Sequence, residues 1–552
     1  MNWSPGSMIQ RLFDSRYGAS DRLIVRWLFL RALGLIYFST FYPLLFQIRG
    51  LIGREGILPA NEYLNAVART YGTARFWFAP TLLWLSTSNH MLVAICWVGM
   101  ASALLLFFNV WPRGMLVVCF ICYLSFVAPA EDFSGYQSDG MLLEAGFIAW
   151  FFVPPGLRPG WGTPCPPSRA SLFLLQWEWF RIYFESGVVK LASGDPQWRN
   201  WTAMDEYYQN GPLPTWVGWY VQHLPHWYHA FTVFMTFAVE LVIVWMMFLP
   251  RRFRLICFLI VSALQIGIIL TANYTFLNYL VLSLGILLLD DGYLVHVLPR
   301  RWRAQFERST QSREIAPAPE PERQPVLSIL DENAAPAPPM PQQPRPHSSP
   351  LKLAVISVIL GLIFYVGTVQ LIWIFLPGFP LPVSPVAALD PFRIANRYGL
   401  FAVMTRGRWE IEFQGSNDGH NWIAYSFRYK PQDIAKAPGI YAPYQPRLDW
   451  NLWFASLGDW RQNPLVTSTE ERLLSGSKDV LQLFAGNPFP SAPPQQIRAV
   501  IWQYWFTSEA EKRQTGNWWR REPLGLYAPA LTKDADGKLK VLEWPAPLPP
   551  RR

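Results

Sequence analysis

The chain has 552 residues, well above the roughly 100 to 200 of a single domain, so one compact domain is not expected. Hydrophobic residues make up 51% and aromatic residues 16%, while charged residues make up only 15% against about 25% in an average soluble protein, which points to a membrane. Five cysteines exclude a secreted disulfide scaffold and 28 Trp with 37 Phe exclude wholesale disorder. The formal net charge of +9 reads as membrane topology and not as nucleic-acid binding, because the basic residues cluster at the ends of apolar runs.

Crossing about 30 Å of hydrocarbon takes about 20 apolar residues of helix. Five runs meet that length: Leu23 to Gln47, Met91 to Val110, His229 to Leu249, Leu255 to Thr271 and Leu351 to Phe375. Shorter or more polar candidates lie at Gly114 to Val127, Gly140 to Val153, Leu172 to Leu191 and Tyr274 to Leu289. Together they predict a polytopic α-helical membrane protein of about 8–9 spans. The stretch Trp77 to Leu85 is too short to span and fits an interfacial or re-entrant helix. The first run is too long for a cleavable signal peptide and carries Arg26 and Arg31 inside it.

Cytoplasmic loops retain Lys and Arg. Arg11, Arg16 and Arg22 precede the first span, which predicts a cytoplasmic N-terminus. The runs Arg251, Arg252, Arg254 and Arg300, Arg301, Arg303 flank a helical hairpin whose turn near Asn273 is uncharged, so both runs are assigned to the cytoplasmic face with Arg113 and the segment Arg158 to Arg169. Arg49, Arg54, Arg69 and Arg75 after the first span run against this assignment. The opposite face then collects Arg49 to Asn89, Glu131 to Asp139, Ser193 to Trp227 and everything after Pro377. In a host with an endoplasmic reticulum this face is lumenal and Asn200-Trp-Thr202 is a glycosylation acceptor; in a bacterium it is periplasmic and the protein sits in the inner membrane.

The domain organisation follows: a membrane domain over 1–305, a cytoplasmic linker over 306–350, a final transmembrane helix over 351–376 and a soluble domain over 377–552. Between Phe306 and Pro350, 11 of 45 residues are Pro, a composition that predicts disorder, although the patch Val326 to Leu330 has the composition of a docking segment. In the soluble domain Trp409, Ile411 and Phe413 alternate with Glu410, Glu412 and Gln414, the period of a half-buried strand. Asn417, Asp418 and Gly419 supply a turn into Trp422 to Tyr429, a pattern similar to the strand-turn-strand of discoidin-like jelly rolls. A β-sandwich-like α+β domain is expected, with helices at Leu448 to Leu457 and Thr469 to Phe484.

Ionisable groups inside apolar segments are costly and mark functional candidates. Arg181 and Glu185 are four apart, so they share a helix face, with Lys190 one further turn along. Asp132, Gln137, Asp139 and Glu144 lie near the outer end of the preceding candidate span, and Glu240 and Gln265 sit alone in later spans. These groups fit either a buried acid/base site or an Arg–carboxylate network that fixes helix packing. His223, His226 and His229 have a threefold spacing, but Pro225 breaks the helix that would align them for a metal. Cys119-Phe-Ile-Cys122 has redox spacing in surroundings that favour an inert thiol, and Cys96 and Cys257 also fall in spans, leaving Cys165 in a loop. No phosphate-binding glycine loop, nucleophile elbow or zinc-finger spacing occurs, and no cofactor or metal is expected.

A series of ordered blocks carries a family resemblance. Gly50-Leu-Ile-Gly-Arg-Glu-Gly-Ile-Leu-Pro59, Ser138-Asp-Gly-Met-Leu-Leu-Glu144, Phe184-Glu-Ser-Gly-Val-Val-Lys190, Gly194-Asp-Pro-Gln-Trp-Arg199 and Leu270-Thr-Ala-Asn-Tyr-Thr-Phe276 occupy the membrane part. Asn396-Arg-Tyr-Gly-Leu-Phe-Ala-Val-Met404, Phe427-Arg-Tyr-Lys-Pro431, Arg447-Leu-Asp-Trp450, Asn487-Pro-Phe-Pro490 and Trp518-Trp-Arg-Arg-Glu522 continue it. In this order they resemble the lipase maturation factor family. The resemblance implies a polytopic membrane protein, resident in the endoplasmic reticulum in vertebrate members, that assists folding and assembly of secreted homodimeric lipases, with the soluble region expected to engage the client. It transfers no catalytic residue. The membrane part is also distantly similar to vitamin K-dependent carboxylases, which keeps an enzyme in view.

Two readings therefore stand. In the first, a membrane chaperone binds a secreted lipase or hydrolase client, with contacts from aromatic side chains in Trp450 to Trp460, and requires no thiol exchange because the outer segments lack Cys. In the second, an integral membrane enzyme acts on a lipid or quinone-like substrate through Asp139, Glu144, Arg181, Glu185 and Lys190, the last as a base.

Overall fold

A computed structural model describes residues 5–314 and 349–547. Nine principal helices form the membrane part: α1 (Leu23–Ile52), α2 (Asn89–Phe107), α3 (Pro112–Val127), α4 (Gln137–Phe152), α5 (Arg169–Ala192), α6 (His226–Phe248), α7 (Arg251–Thr271), α8 (Leu277–Leu288) and α9 (Pro350–Phe375). Five of them, α1, α2, α6, α7 and α9, are long and apolar enough to cross a membrane, and these coincide with the five clearest runs of the sequence. α8 joins the short helix Asp291–Val297 at a bend of 112°, which makes a sixth candidate if the pair is one span. The expected eight or nine is therefore not reached by length and composition. The shortfall has physical causes: α3 and α4 have 16 residues each, about 24 Å of helix, and α5 is long enough but carries Glu178, Arg181, Glu185 and Lys190 within its apolar stretch.

α1 is the bundle's central element, with Phe29, Leu33, Tyr37, Phe41 and Leu44 buried along it. A Cβ at Gly34 would lie 2.9 Å from the Phe107 backbone nitrogen, so glycine here permits the close crossing of α1 and α2. One end of the bundle is tied by charge. The Asp291 carboxylate accepts hydrogen bonds from the Leu23 and Ile24 N–H groups at 2.7 and 2.9 Å, closing the N-terminus of α1, and Arg251 pairs with Asp290 at 2.7 Å. Arg26 is buried with no carboxylate paired to it among the described residues and donates to the carbonyls of Trp161, Gly162 and Cys165. Around the short helix Arg75–Phe78, the rings of Phe76, Trp77 and Phe78 and the side chain of Leu85 are exposed.

The C-terminal region is built on one antiparallel sheet. Its strands are β1 (Arg408–Ser416), β2 (Ile423–Ala424), β3 (Gln496–Phe506), β4 (Trp519–Leu526), β5 (Ala530–Lys533) and β6 (Leu539–Glu543), in the order β2-β1-β3-β5-β6 with β4 also paired to β3. The expected sandwich is not what the described residues form: the apolar face of this sheet, Ile411, Phe413, Ile497 and Ile501, is covered by α10 (Arg447–Ser456) and α11 (Pro464–Leu474) instead of by a second sheet. The expected turn is present. The Ser416 hydroxyl accepts from the N–H groups of Asp418 and Gly419, and Gly419 has φ 75°. Backbone N–H groups of Asn421 and His420 hold the Asp418 carboxyl well below the usual carboxylate range. The strand after the turn shrinks to two paired residues, and the helix expected over Thr469 to Phe484 breaks at Gly476, whose φ is 69°. Helix Arg300–Glu314 occupies the first residues assigned to the Pro-rich linker; the remainder of that linker, with the patch Val326 to Leu330, lies outside the described residues.

Alternation along β1 predicts a half-buried strand, yet all nine of its residues are buried. Its polar face is closed by charge: Arg408 and Lys430 pair with Glu410, and Arg521 pairs with Glu412 at 3.2 Å. Glu470 on α11 is different, being fully buried without a salt-bridge partner among the described residues, and burial holds its carboxyl well above the usual range. A raised value means that protonation stabilises the fold: that contribution is complete below about pH 4.5 and is lost as the pH rises through the folded-state value. Glu470→Gln should therefore raise the melting temperature at pH 8, by on the order of 1 to 3 kcal/mol of stability, and leave it unchanged near pH 4. Thermal unfolding of the two proteins at both pH values checks this.

Candidate functional site

α4 and α5 carry the strongest polar cluster, and the structure shows what faces it. Arg181 is buried between Glu144 on α4, with which its Nη2 makes a close ion pair, and Glu185 one turn along α5, at 3.6 Å from Nη1. The chain after α9 enters this cluster as an extended segment. The Asn396 N–H donates to Glu144 Oε2 at 2.8 Å, the Tyr398 hydroxyl to the same oxygen at 2.7 Å, and the Tyr398 N–H to Glu185 Oε2 at 2.6 Å. In return Arg181 Nη1 donates to the Asn396 carbonyl at 2.7 Å. Two glycines make room: a Cβ at Gly140 would lie 2.7 Å from Asn396 Oδ1, and one at Gly367 on α9 would lie 2.8 Å from the Arg181 guanidinium carbon. Further along, Leu400 N–H donates to the Ser186 hydroxyl, Gly399 N–H to the Gln137 side chain and Met404 N–H to Asp195.

Asp139 belongs to a separate junction. Its carboxylate accepts from the Tyr123 hydroxyl and pairs with both terminal nitrogens of Arg447, at 3.2 and 3.4 Å. Arg447 is the first residue of α10, is 1% exposed, and also donates to the Phe133 carbonyl and the Ser134 hydroxyl. Beside it Gln47 of α1 accepts from the Arg447 N–H at 2.9 Å and donates to the Gln445 carbonyl at 3.0 Å. Asn273, between α7 and α8, accepts from the N–H groups of Tyr441 and Ala442 at 2.6 and 3.0 Å. Lys190 forms a third unit: its ammonium lies 2.8 Å from each carboxylate oxygen of Glu240. Glu240 stands in a single wide π-turn, Ala238–Val242, and Gly187 lets that turn approach α5, since a Cβ there would lie 2.9 Å from Glu240 Cβ. Gln265 links Asn278 to the Tyr183 hydroxyl, both at 2.7 Å.

The five candidate residues therefore do not converge on one site. Glu144, Arg181 and Glu185 meet; Asp139 meets Arg447; Lys190 meets Glu240. Asp132 is exposed and joins none of these units. Sequence reasoning missed Arg447, Asn396, Tyr398 and Asn273 as functional partners, although the first three lie in the quoted blocks and Asn273 in the block before α8. Chemically the first two units dock the C-terminal region onto the bundle: Glu144, Glu185 and Asp139 each accept from it, while Arg181 Nε, Glu185 Oε1 and Arg447 Nε make no hydrogen bond among the described residues. His223 and His226 diverge, the former to the Thr507 carbonyl and the latter to Asp205, and the described residues hold no group of three or more His, Cys, Asp or Glu suited to a metal. Cys96, Cys119, Cys122 and Cys257 are buried and unpaired, and Cys165 is half-buried. Trp450 and Trp453 of the aromatic stretch are buried, while Phe454 is exposed.

Residues 24–296 match the model of the lipase maturation factor transmembrane domain and residues 394–529 that of the lipase maturation factor C-terminal domain. Lipase maturation factor 2 of Gallus gallus is 31% identical over 92% of this chain and 81% of its own length. The chain belongs to the lipase maturation factor family. Lipase maturation factor 1 of Bos taurus is 29% identical over 97% of the chain and 94% of its own length, and that of Mus musculus 30% identical over 96% and 91%. No solved structure matches. With its five apolar helices of spanning length, this lipase maturation factor homologue is an integral membrane protein. The docking segment 394–404 opens the C-terminal family match, so the two matched regions meet at the Arg181 cluster.

Removing one partner of a buried ion pair strands the other, at a cost of about 3 to 5 kcal/mol. Arg397 is already exposed, so Arg181→Met should act by freeing the backbone around it and speed tryptic cleavage there strongly, whereas Tyr398→Phe, which removes one hydrogen bond worth about 1 to 2 kcal/mol, should raise the cleavage rate modestly. Cleavage at Arg397 in membranes, measured with time, checks both; an Arg181→Met protein cut no faster than the parent would contradict the docking role.

Proposed function

We propose that this protein is a membrane-anchored maturation factor that assists folding and assembly of secreted lipases or related hydrolases without chemistry of its own. The observation that carries the reading is the match to both family regions along one chain, together with relatives named for lipase maturation. The geometry supports a non-enzymatic role: Glu144, Arg181 and Glu185 are engaged by residues 396–398, and Asp139 by Arg447, so the cluster of ionisable groups serves to hold the C-terminal region against the bundle. That region, on a rigid mount, is the surface offered to a client.

The topology proposed with this function has the N-terminus in the cytoplasm and the C-terminal region on the lumenal or periplasmic side. The bundle's charge polarity supports it. The N-terminal ends of α1 and α7, with Arg22 and Arg251, come together at one end through Asp290 and Asp291, whereas Gln47 and Asn273, at the opposite ends of the same two helices, bind the C-terminal region. Counting α3, α4, α5 and the bent α8 as crossings beside the five spanning helices gives nine passes, the odd number that puts the two ends on opposite faces. In a eukaryote the membrane is that of the endoplasmic reticulum, in a bacterium the inner membrane.

The test is the activity of secreted lipases per unit of antigen from host cells with and without the gene. A fall in activity per molecule, with export unchanged or aggregates retained, is expected; no change across the host's secreted hydrolases would overturn the reading. Glu185→Gln and Lys190→Met separate it from an enzyme acting on a lipid or quinone-like substrate. At unchanged abundance and client binding, they should leave lipase activity per molecule intact if no chemistry is required.

A further inference from the structure

Beside the Lys190–Glu240 pair lies a cavity of about 270 Å³ enclosed by α5, α6, α7, α8 and residues 400–404. It shares Tyr207, Tyr274, Phe401 and Met404 with a second cavity of about 390 Å³ that reaches α10 at Trp450 and Phe454. Phe401, which lines both, is held at φ 56°, a left-handed conformation that an aromatic residue adopts only when its surroundings fix it. Together these voids are the size of a ligand pocket, not of a packing defect.

We propose that this cavity binds an uncharged lipid that enters sideways from the bilayer between α6 and α7. The entrance is set by small residues. Ala263 and Gly267 of α7 line the cavity and are exposed, and a Cβ added at Gly267 would meet nothing within 4 Å. Both helices are of spanning length and apolarity, and Gly267 lies about 6 Å inside the end of α7 at Thr271, so the opening sits at the depth of lipid chains. An occupant arriving there comes from the membrane.

Charge decides its class. Among the described residues the only ionisable Lys, Arg, Asp or Glu side chains lining either cavity are Lys190 and Glu240, and they neutralise each other through two 2.8 Å contacts. A phosphate or a carboxylate head would find no free cation. A hydroxyl or ester head would find hydrogen-bonding groups: the Tyr183 hydroxyl accepts from Gln265 and retains its own proton to donate, and in the walls of the second cavity Asn210 Oδ1 and Trp450 Nε1 are buried without hydrogen-bond partners among the described residues. The wide turn that aims Glu240 at Lys190 is of a kind that recurs at functional sites. None of this depends on the maturation reading.

The test uses the full-length protein in membranes and a monoacylglycerol with a photoactivatable diazirine in its acyl chain, with the fatty acid and the phosphatidylcholine of the same chain as charged comparators. Irradiation should cross-link the monoacylglycerol probe to peptides of α6, α7 and residues 400–404, and the comparators far less. Gly267→Phe, or Ala263→Phe as a second plug, should cut that labelling by about tenfold. Gly361→Phe should not, because it adds the same ring at an exposed position of α9 that is equally open. Proteins with parental melting behaviour are compared. Labelling that spreads over all exposed helices, that survives both plugs, or that is as strong with the fatty acid would overturn the proposal.

Discussion

A guanidinium among apolar helices is tolerable only when carboxylates and carbonyls take the place of its water. Arg181 obtains them from three parts of the chain: Glu144 on α4, Glu185 on its own helix and the carbonyl of Asn396. Neither carboxylate is satisfied by Arg181 alone, and the backbone and hydroxyl of residues 396–398 supply hydrogen bonds to Glu144 Oε2 and Glu185 Oε2. The rest of the arrangement depends on this closure. The segment fixed there leads directly into β1, whose Arg408 donates to the carbonyls of Gln209 and Gly211, so the position of the sheet over the bundle follows from the position of Tyr398.

The same principle recurs in weaker form around the junction. Asp139 with Arg447, Gln47 with Gln445, and Asn273 with Tyr441 each pair a polar side chain near a helix end with backbone or side chain of the C-terminal region. Apolar contacts fill the spaces between, as where Tyr136 meets Trp450 edge to face. Polar contacts set the register and the aromatic rings exclude water from it, a division of labour also seen at protein interfaces. The family match spans both sides of this seam, in keeping with two regions that work as one unit.

Much of this was readable in the sequence, and the part that was not has definite reasons. Hydropathy alone marked α1, α2, α6, α7 and α9, because a run of apolar residues is a local property. The i, i+4 spacing put Arg181 and Glu185 on one face, and they do meet. Periodicity could not say what closes that face, since Glu144 and Asn396 are 252 positions apart and Asp139 and Arg447 are 308 apart. Glu240, apparently alone in its span, finds Lys190 through a wide turn that leaves no mark in the residue pattern. In β1 the alternation correctly sorted Ile411 and Phe413 from Glu410 and Glu412, but equating polar with exposed failed because Lys430, Arg408 and Arg521 bury the carboxylates with them. For the same reason a sandwich was expected: apolar alternation announces that one face is covered, not whether a sheet or a pair of helices covers it.

The long separation between Glu144 and the segment that satisfies it has a consequence for synthesis. A chain emerging from the ribosome presents α4 and α5 early, while residues 396–398 exist only after α9 has been made. For that interval Arg181 has Glu144 and Glu185 but not the backbone groups that complete them. The Arg181 cluster is therefore incomplete until synthesis has passed residue 398, and a chain that stops before it leaves Glu144 and Glu185 without these hydrogen bonds. The seam that mounts the C-terminal region thus also marks the point at which the chain has been made past residue 398.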